Sequence, residues 1–170
     1  MPARYTSPMS RYRNQFEITT LIIHCAATPN GKWFNAEDID QWHGERNFTR
    51  GNKFLKNQQP RLKHIGYHFV IGLKGGVEVG RSLTETGAHA RGYNKVSLGT
   101  CLIGTDKFTE DQWLALKQHV EALKNKFPGL KVIGHRQVNT HKTCPGFDVQ
   151  TWLANGMNPL QNQLIEYKHD

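Results

Sequence analysis

Residues 19–25 (TTLIIHC) form a short apolar run dominated by β-branched side chains, which reads as a buried strand. Residues 97–104 (SLGTCLIG) and 130–134 read the same way. Residues 65–72 (IGYHFVIG) and 77–81 flank Lys74-Gly75-Gly76, a hairpin signal. Between these runs the periodicity turns helical. Residues 35–47 carry acidic side chains early and place Ile39, Trp42 and His43 at helical spacing, with Asn35 or the residue before it as the cap. Residues 109–127 give the strongest helix signal: Thr109 and Gln112 make a capping box, Trp113, Leu114, Leu116, Val120 and Leu123 supply the apolar face, and Pro128 stops it. Asp148 can cap a last helix through Trp152 and Leu153 that Gly156 ends. Strands and helices mixed in one unit predict an α/β (α+β) fold, a single domain with a central mixed β-sheet flanked by helices.

A chain of 170 residues fits one such domain with a modest tail. Residues 1–17 are basic and polar and read as a flexible arm, residues 18–157 as the domain, and residues 158–170 as a tail with a short helix. Residues 51–63 are polar and basic and read as a surface loop. There is no run of about 18 apolar residues to span a membrane. The first residues lack the apolar stretch and cleavage site of a secretory signal, so a cytoplasmic residence is expected. Lys and Arg outnumber Asp and Glu by 22 to 14, which favours anionic partners without choosing among them. No nucleic-acid-binding module is recognisable, and nucleic acid is not expected as a partner.

Three cysteines are too few, and odd in number, for a disulfide framework. Cys25 and Cys101 sit in apolar runs and read as small buried hydrophobes. Cys144 lies among His141, Lys142, Pro145 and Gly146, a setting for a ligand or a reactive thiol. His24 ends the first strand, His135 follows the last, and Cys144 comes nine residues later. If those strands are neighbours, their C-terminal ends bring the three side chains together, where open sheets commonly place sites. Imidazole and thiolate suit zinc, and three protein ligands leave one position open, the pattern of a catalytic site. His141 is a rival for His135; a strand end holds His135 more rigidly.

IIHCAAT around His24, QWH at 41–43, GYHFVI at 66–71, GAHARGYN at 87–94 and GHRQVNTHKTCPGFD at 134–148 resemble, in this order, the zinc-dependent N-acetylmuramoyl-L-alanine amidases of the type 2 amidase and peptidoglycan-recognition-protein superfamily, nearest to the short bacteriophage lysozyme-type amidases. The resemblance implies one Zn2+ held by His24, His135 and Cys144, with Tyr67 and Lys142 as catalytic partners. It implies cleavage of the amide bond between N-acetylmuramic acid and L-alanine of bacterial peptidoglycan. Lys142 would stabilise the oxyanion, and the Tyr67 hydroxyl would hydrogen-bond the oxyanion or the attacking water. His89 and Asn94, in a loop of small residues, are expected substrate contacts. His68 points opposite to Tyr67 in a strand and is expected to be structural. Two departures stand out: the segment between His135 and Cys144 is one residue longer than in the phage enzymes, and the 51–63 loop is longer and more basic.

Without a secretory signal, the reading is a phage endolysin that waits in the host cytoplasm and reaches the wall at lysis. A cytoplasmic amidase recycling wall fragments, a non-catalytic peptidoglycan binder and a polymerase-regulating protein are the alternatives. A monomer is expected, and the basic surface suits anionic envelope polymers.

Overall fold

Every residue of β1 (Thr20–Cys25) and β4 (Ser97–Leu102) is buried, so these two strands belong in the middle of a sheet covered on both faces. The computed structural model, which describes residues 12–167, places them there. With β2 (Phe69–Ile71), β3 (Val77–Val79) and β5 (Lys131–Gly134) they form a five-stranded sheet in the order β3-β2-β4-β1-β5. β1 is parallel to β4 and β5, and β2 is parallel to β4; β3 pairs antiparallel with β2 through the hairpin, making the sheet mixed.

Four α-helices flank it: α1 (Ala36–Glu45), α2 (Asn52–Asn57), α3 (Glu110–Lys126) and α4 (Val149–Ala154). On one face Leu21, Ile23, Leu98, Leu102 and Val132 pack against Trp113, Leu116 and Val120 of α3 and Trp152 of α4. On the other, Val70 and Cys101 pack with Ile39 of α1 and with Leu62 and Ile65. The capping box of α3 forms as its sequence dictates, Thr109 and Gln112 each accepting the other's backbone N–H at 3.0 Å. The Gln112 amide is also buried and donates to the carbonyls of Ile71 and Ile103, tying the helix start to the strand ends that surround the site.

The expectation of a surface loop over 51–63 is corrected in part. Residues Asn52–Asn57 are helical, and Phe54 and Leu62 are buried. No side chain caps α2. Arg50 anchors the segment instead: its fully buried guanidinium pairs with Glu85 at 2.8 Å and donates to the carbonyls of Gln58, Gln59 and Leu62. A buried charge needs such complete pairing, and the pairing folds the segment onto the domain.

Residues 1–11, most of the segment read as an arm, lie outside the described residues. Its last part, from Tyr12 to Glu17, is joined to the domain. Arg13 is buried and donates to the carbonyls of Leu83, Asn94, Lys95 and Ser97. In the tail, Gln161–Gln163 form a single 3-10 turn where a short helix was expected, and Leu160 and Leu164 pack against the core below α3. No described helix is long and apolar enough to cross a membrane.

Candidate metal centre

The parallel register of β1 and β5 pairs Ile23 with Gly134. One step further along both strands stand His24 and His135, whose rings lie 4.5 Å apart. His135 opens a 3-10 turn (His135–Gln137) that swings the chain into the loop carrying Lys142 and Cys144. Arg136 closes that loop on itself: its backbone N–H donates to the Cys144 carbonyl at 2.8 Å, and its guanidinium donates to the Thr143 carbonyl. The closure brings Cys144 back to the strand ends, its sulfur 3.7 Å from His24 Nδ1.

Among the described residues, His24, His135 and Cys144 are the one group of His, Cys and acidic side chains whose ligand atoms all lie within 4.8 Å of each other. His141 is exposed on the loop, lines the cleft, and is not in that group.

The donor set fits zinc. Zn–N near 2.0 Å and Zn–S near 2.3 Å at a tetrahedral angle put N and S about 3.5 Å apart, close to the 3.7 Å between His24 Nδ1 and Cys144 Sγ. Burial, with His89 and His135 nearby, holds His24 well below the ordinary imidazole range, so it is the neutral imidazole a cation needs. Burial and then Lys142 lower His135 as well. The neighbouring Cys25 thiol and burial push the Cys144 thiol up toward its neutral form. A thiolate there calls for a cation, and the Cys25 backbone N–H already points at the sulfur from 3.2 Å.

The group opens into a cleft of about 670 Å³. Tyr67 precedes β2 and packs its ring against His24 at 5.0 Å and against His43 at 5.3 Å. Burial raises its phenol well above the ordinary range, so the hydroxyl stays protonated. Lys142 is exposed on the cleft wall. His43, buried on α1, accepts the Gly66 N–H at 2.8 Å and fixes the turn before Tyr67. His68 faces away from the cleft, held by Arg13, the Glu85 carbonyl and the Gly99 N–H.

Asn94 and His89 both line the cleft. Asn94 Oδ1 accepts the N–H groups of His89 and Ala90, shaping the loop that carries them. His89 Nδ1 lies 2.8 Å from His24 Nε2, behind the proposed ligand. His89, expected as a substrate contact, thus lines the cleft and also touches His24. A signal for it was present in Gly99: a glycine inside a strand marks a close approach, and a Cβ there would meet the His89 ring at 2.6 Å. Arg46 and Arg91, neither of them singled out in the sequence, join Lys142 on the cleft walls, which include no carboxylate.

Fold and site together define a class: a mixed α/β sheet carrying a His-His-Cys group, able to hold a metal ion, at its strand ends and inside a cationic cleft. The family model described as N-acetylmuramoyl-L-alanine amidase matches residues 14–147, and the chain belongs to that family. It is 31% identical to the endolysin of Klebsiella phage KP32, over 94% of this chain and 97% of that one. It is 31% identical to the endolysin of Escherichia phage T7, over 84% of this chain and 89% of that one. Among solved structures, the N-acetylmuramoyl-L-alanine amidase LysC from Clostridium intestinale shares the fold, with a TM-score of 0.67 at 22% identity over 87% of this chain and 93% of that one.

Proposed function

We propose that this chain is a zinc-dependent amidase that hydrolyses the bond between N-acetylmuramic acid and the L-alanine of the stem peptide, and that it serves a phage as an endolysin. The carrying observation is the convergence of His24, His135 and Cys144 in a cleft walled by Tyr67 and Lys142. Similarity to the named phage endolysins across nearly their whole length supports the lytic role.

When bound, zinc supplies Lewis acidity toward the scissile carbonyl and makes a water nucleophile available at neutral pH. His24, His135 and Cys144 would hold it. Lys142 brings a positive charge to the cleft wall on the side of His135, suited to the oxyanion that develops on the carbonyl. Tyr67 offers a hydroxyl proton from a half-enclosed position, able to orient the carbonyl or the attacking water without itself becoming anionic. Arg46, Arg91 and Lys142 favour the carboxylates of a stem peptide, with Asn94 on the same wall as a contact. The protein would wait in the host cytoplasm and act as a monomer once released to the wall.

Mass analysis of peptidoglycan digestion products, with and without a chelator, tests this. The expected products are free stem peptides and unsubstituted glycan, lost on chelation and restored by zinc. Zinc uptake without peptide release would leave a peptidoglycan-binding module in place of an enzyme.

A further inference from the structure

A series of hydrogen-bond partners leads away from His24 on the side opposite Cys144. His24 turns Nδ1 toward Cys144 and Nε2 toward His89. If Nδ1 offers its lone pair to a cation, Nε2 carries the proton and donates it to His89 Nδ1 at 2.8 Å. His89 then carries its own proton on Nε2, which faces Ser97 Oγ at 3.3 Å. The Ser97 hydroxyl donates in turn to the Tyr93 carbonyl at 2.8 Å. A carbonyl only accepts, so it takes the single Ser97 hydroxyl proton, and with that proton committed the series runs from His24 toward Tyr93.

The packing around His89 enforces this orientation. Its ring lies in a slot between Gly87 and Gly99, where an added Cβ would meet His89 at 2.6 Å from either side. Asn94 fixes its backbone N–H. Ser97 is fully buried at the start of β4, and its carbonyl accepts the Arg13 guanidinium at 2.5 Å. The series is thus anchored in the central strand and in the first described residues of the chain.

We infer that His89 and Ser97 are positioning residues that hold His24 in the one tautomer able to ligate through Nδ1, with the Tyr93 carbonyl fixing the direction. This rests on the zinc reading of the site. A metal-binding imidazole whose other nitrogen is held in this way keeps both its ring angle and its basicity, and losing the holder typically costs 10–100-fold in metal affinity. His89 therefore prepares the site before metal arrives, from behind the ligand.

The test uses the full chain and its variants His89→Ala, His89→Asn and Ser97→Ala. Zinc affinity is measured by competition with a chelating dye. The His24 tautomer in the metal-free protein is read from imidazole 15N shifts, and thermal unfolding is followed alongside. In the unsubstituted chain the His24 proton should sit on Nε2. His89→Ala should mix the tautomers and weaken zinc binding about 10–100-fold. His89→Asn should recover most of the affinity, because its amide oxygen stands near the place of Nδ1. Ser97→Ala should weaken zinc several-fold while leaving the fold intact, which keeps the inference testable if His89→Ala does not fold. Wild-type affinity in folded His89→Ala or in Ser97→Ala, or a proton found on His24 Nδ1, overturns the inference alone. An unsubstituted chain that takes up no zinc overturns the zinc reading itself.

Discussion

His24, His135 and Cys144 hold ligand atoms within 4.8 Å of one another, and His89 stands behind His24. The strand ends and the loop cysteine made this set plausible in the sequence, and the ordered amidase-like motifs around it added most of the weight. The contact behind His24 was not legible, because His89 is 65 residues away in sequence and a hydrogen bond leaves no local pattern. The same separation of roles predicts distinct failures on substitution. Cys144→Ser should lose zinc, since it removes the soft ligand that faces His24 Nδ1, whereas His141→Ala should leave the zinc content unchanged. Metal analysis of the purified variants decides both, and loss of zinc from His141→Ala would move the ligand assignment to the loop. Lys142 is exposed and its backbone N–H closes a turn to Asn139, so trimming its side chain leaves the loop's hydrogen bonds standing. Lys142→Ala should therefore keep its zinc and lose turnover by about 10²-fold, the scale of removing one oxyanion donor. Unchanged turnover on purified peptidoglycan would show that the oxyanion is stabilised from elsewhere.

Elements with a local signal were legible and those held by distant contacts were not. Asn35, Thr109 and Asp148 cap α1, α3 and α4 as their side chains predict, and the hairpin turns at Lys74-Gly75-Gly76. In contrast, α2 has neither a side-chain cap nor an amphipathic period long enough to detect; buried Phe54 and the Arg50–Glu85 pair hold it in place. The strand of Tyr67 is shorter than its apolar run implied, because β2 begins only at Phe69 and Tyr67 leads into it with its ring on His24. One cap matters beyond its helix. Thr109 Oγ accepts the Gln112 N–H and also donates to the Leu73 carbonyl at 2.6 Å, joining α3 to the β2–β3 hairpin. Thr109→Ala should cost about 1–2 kcal/mol, the upper part of the range for a lost cap. Urea unfolding of the metal-free protein measures it; a change below a few tenths would mean water satisfies both groups equally well.

At the scale of the molecule, the buried histidines make stability depend on pH in a stated direction. His119 on α3 is set between Thr100, 2.9 Å from its Nε2, and the Phe69 ring, and burial lowers it to about 4. His68, enclosed beside Arg13, is lowered to about 3, by burial first and by that guanidinium second. Both stay neutral in the folded chain at pH values where the unfolded chain has already protonated them. The unfolded state then binds more protons, so stability is full above the unfolded imidazole value of about 6.5 and falls as pH drops from there toward the folded values. Across the interval down to its folded value, His119 contributes up to about 3 kcal/mol of loss and His68 up to about 5. Acidification also raises the positive charge of a chain that already carries a formal +8, and self-repulsion lowers stability in the same direction. The wild-type slope alone therefore does not separate the two effects, but a neutral replacement does. His119→Gln keeps an amide within reach of Thr100 and cannot titrate, so it removes the His119 part while leaving the charge of the other groups as it was. Unfolding free energies from urea titrations between pH 7.5 and 4.5, with chelator present to remove any contribution from metal release, should fall less steeply for this variant than for the wild type. Parallel slopes would show that charge repulsion, and not the neutral burial of His119, sets the acid limit of the fold.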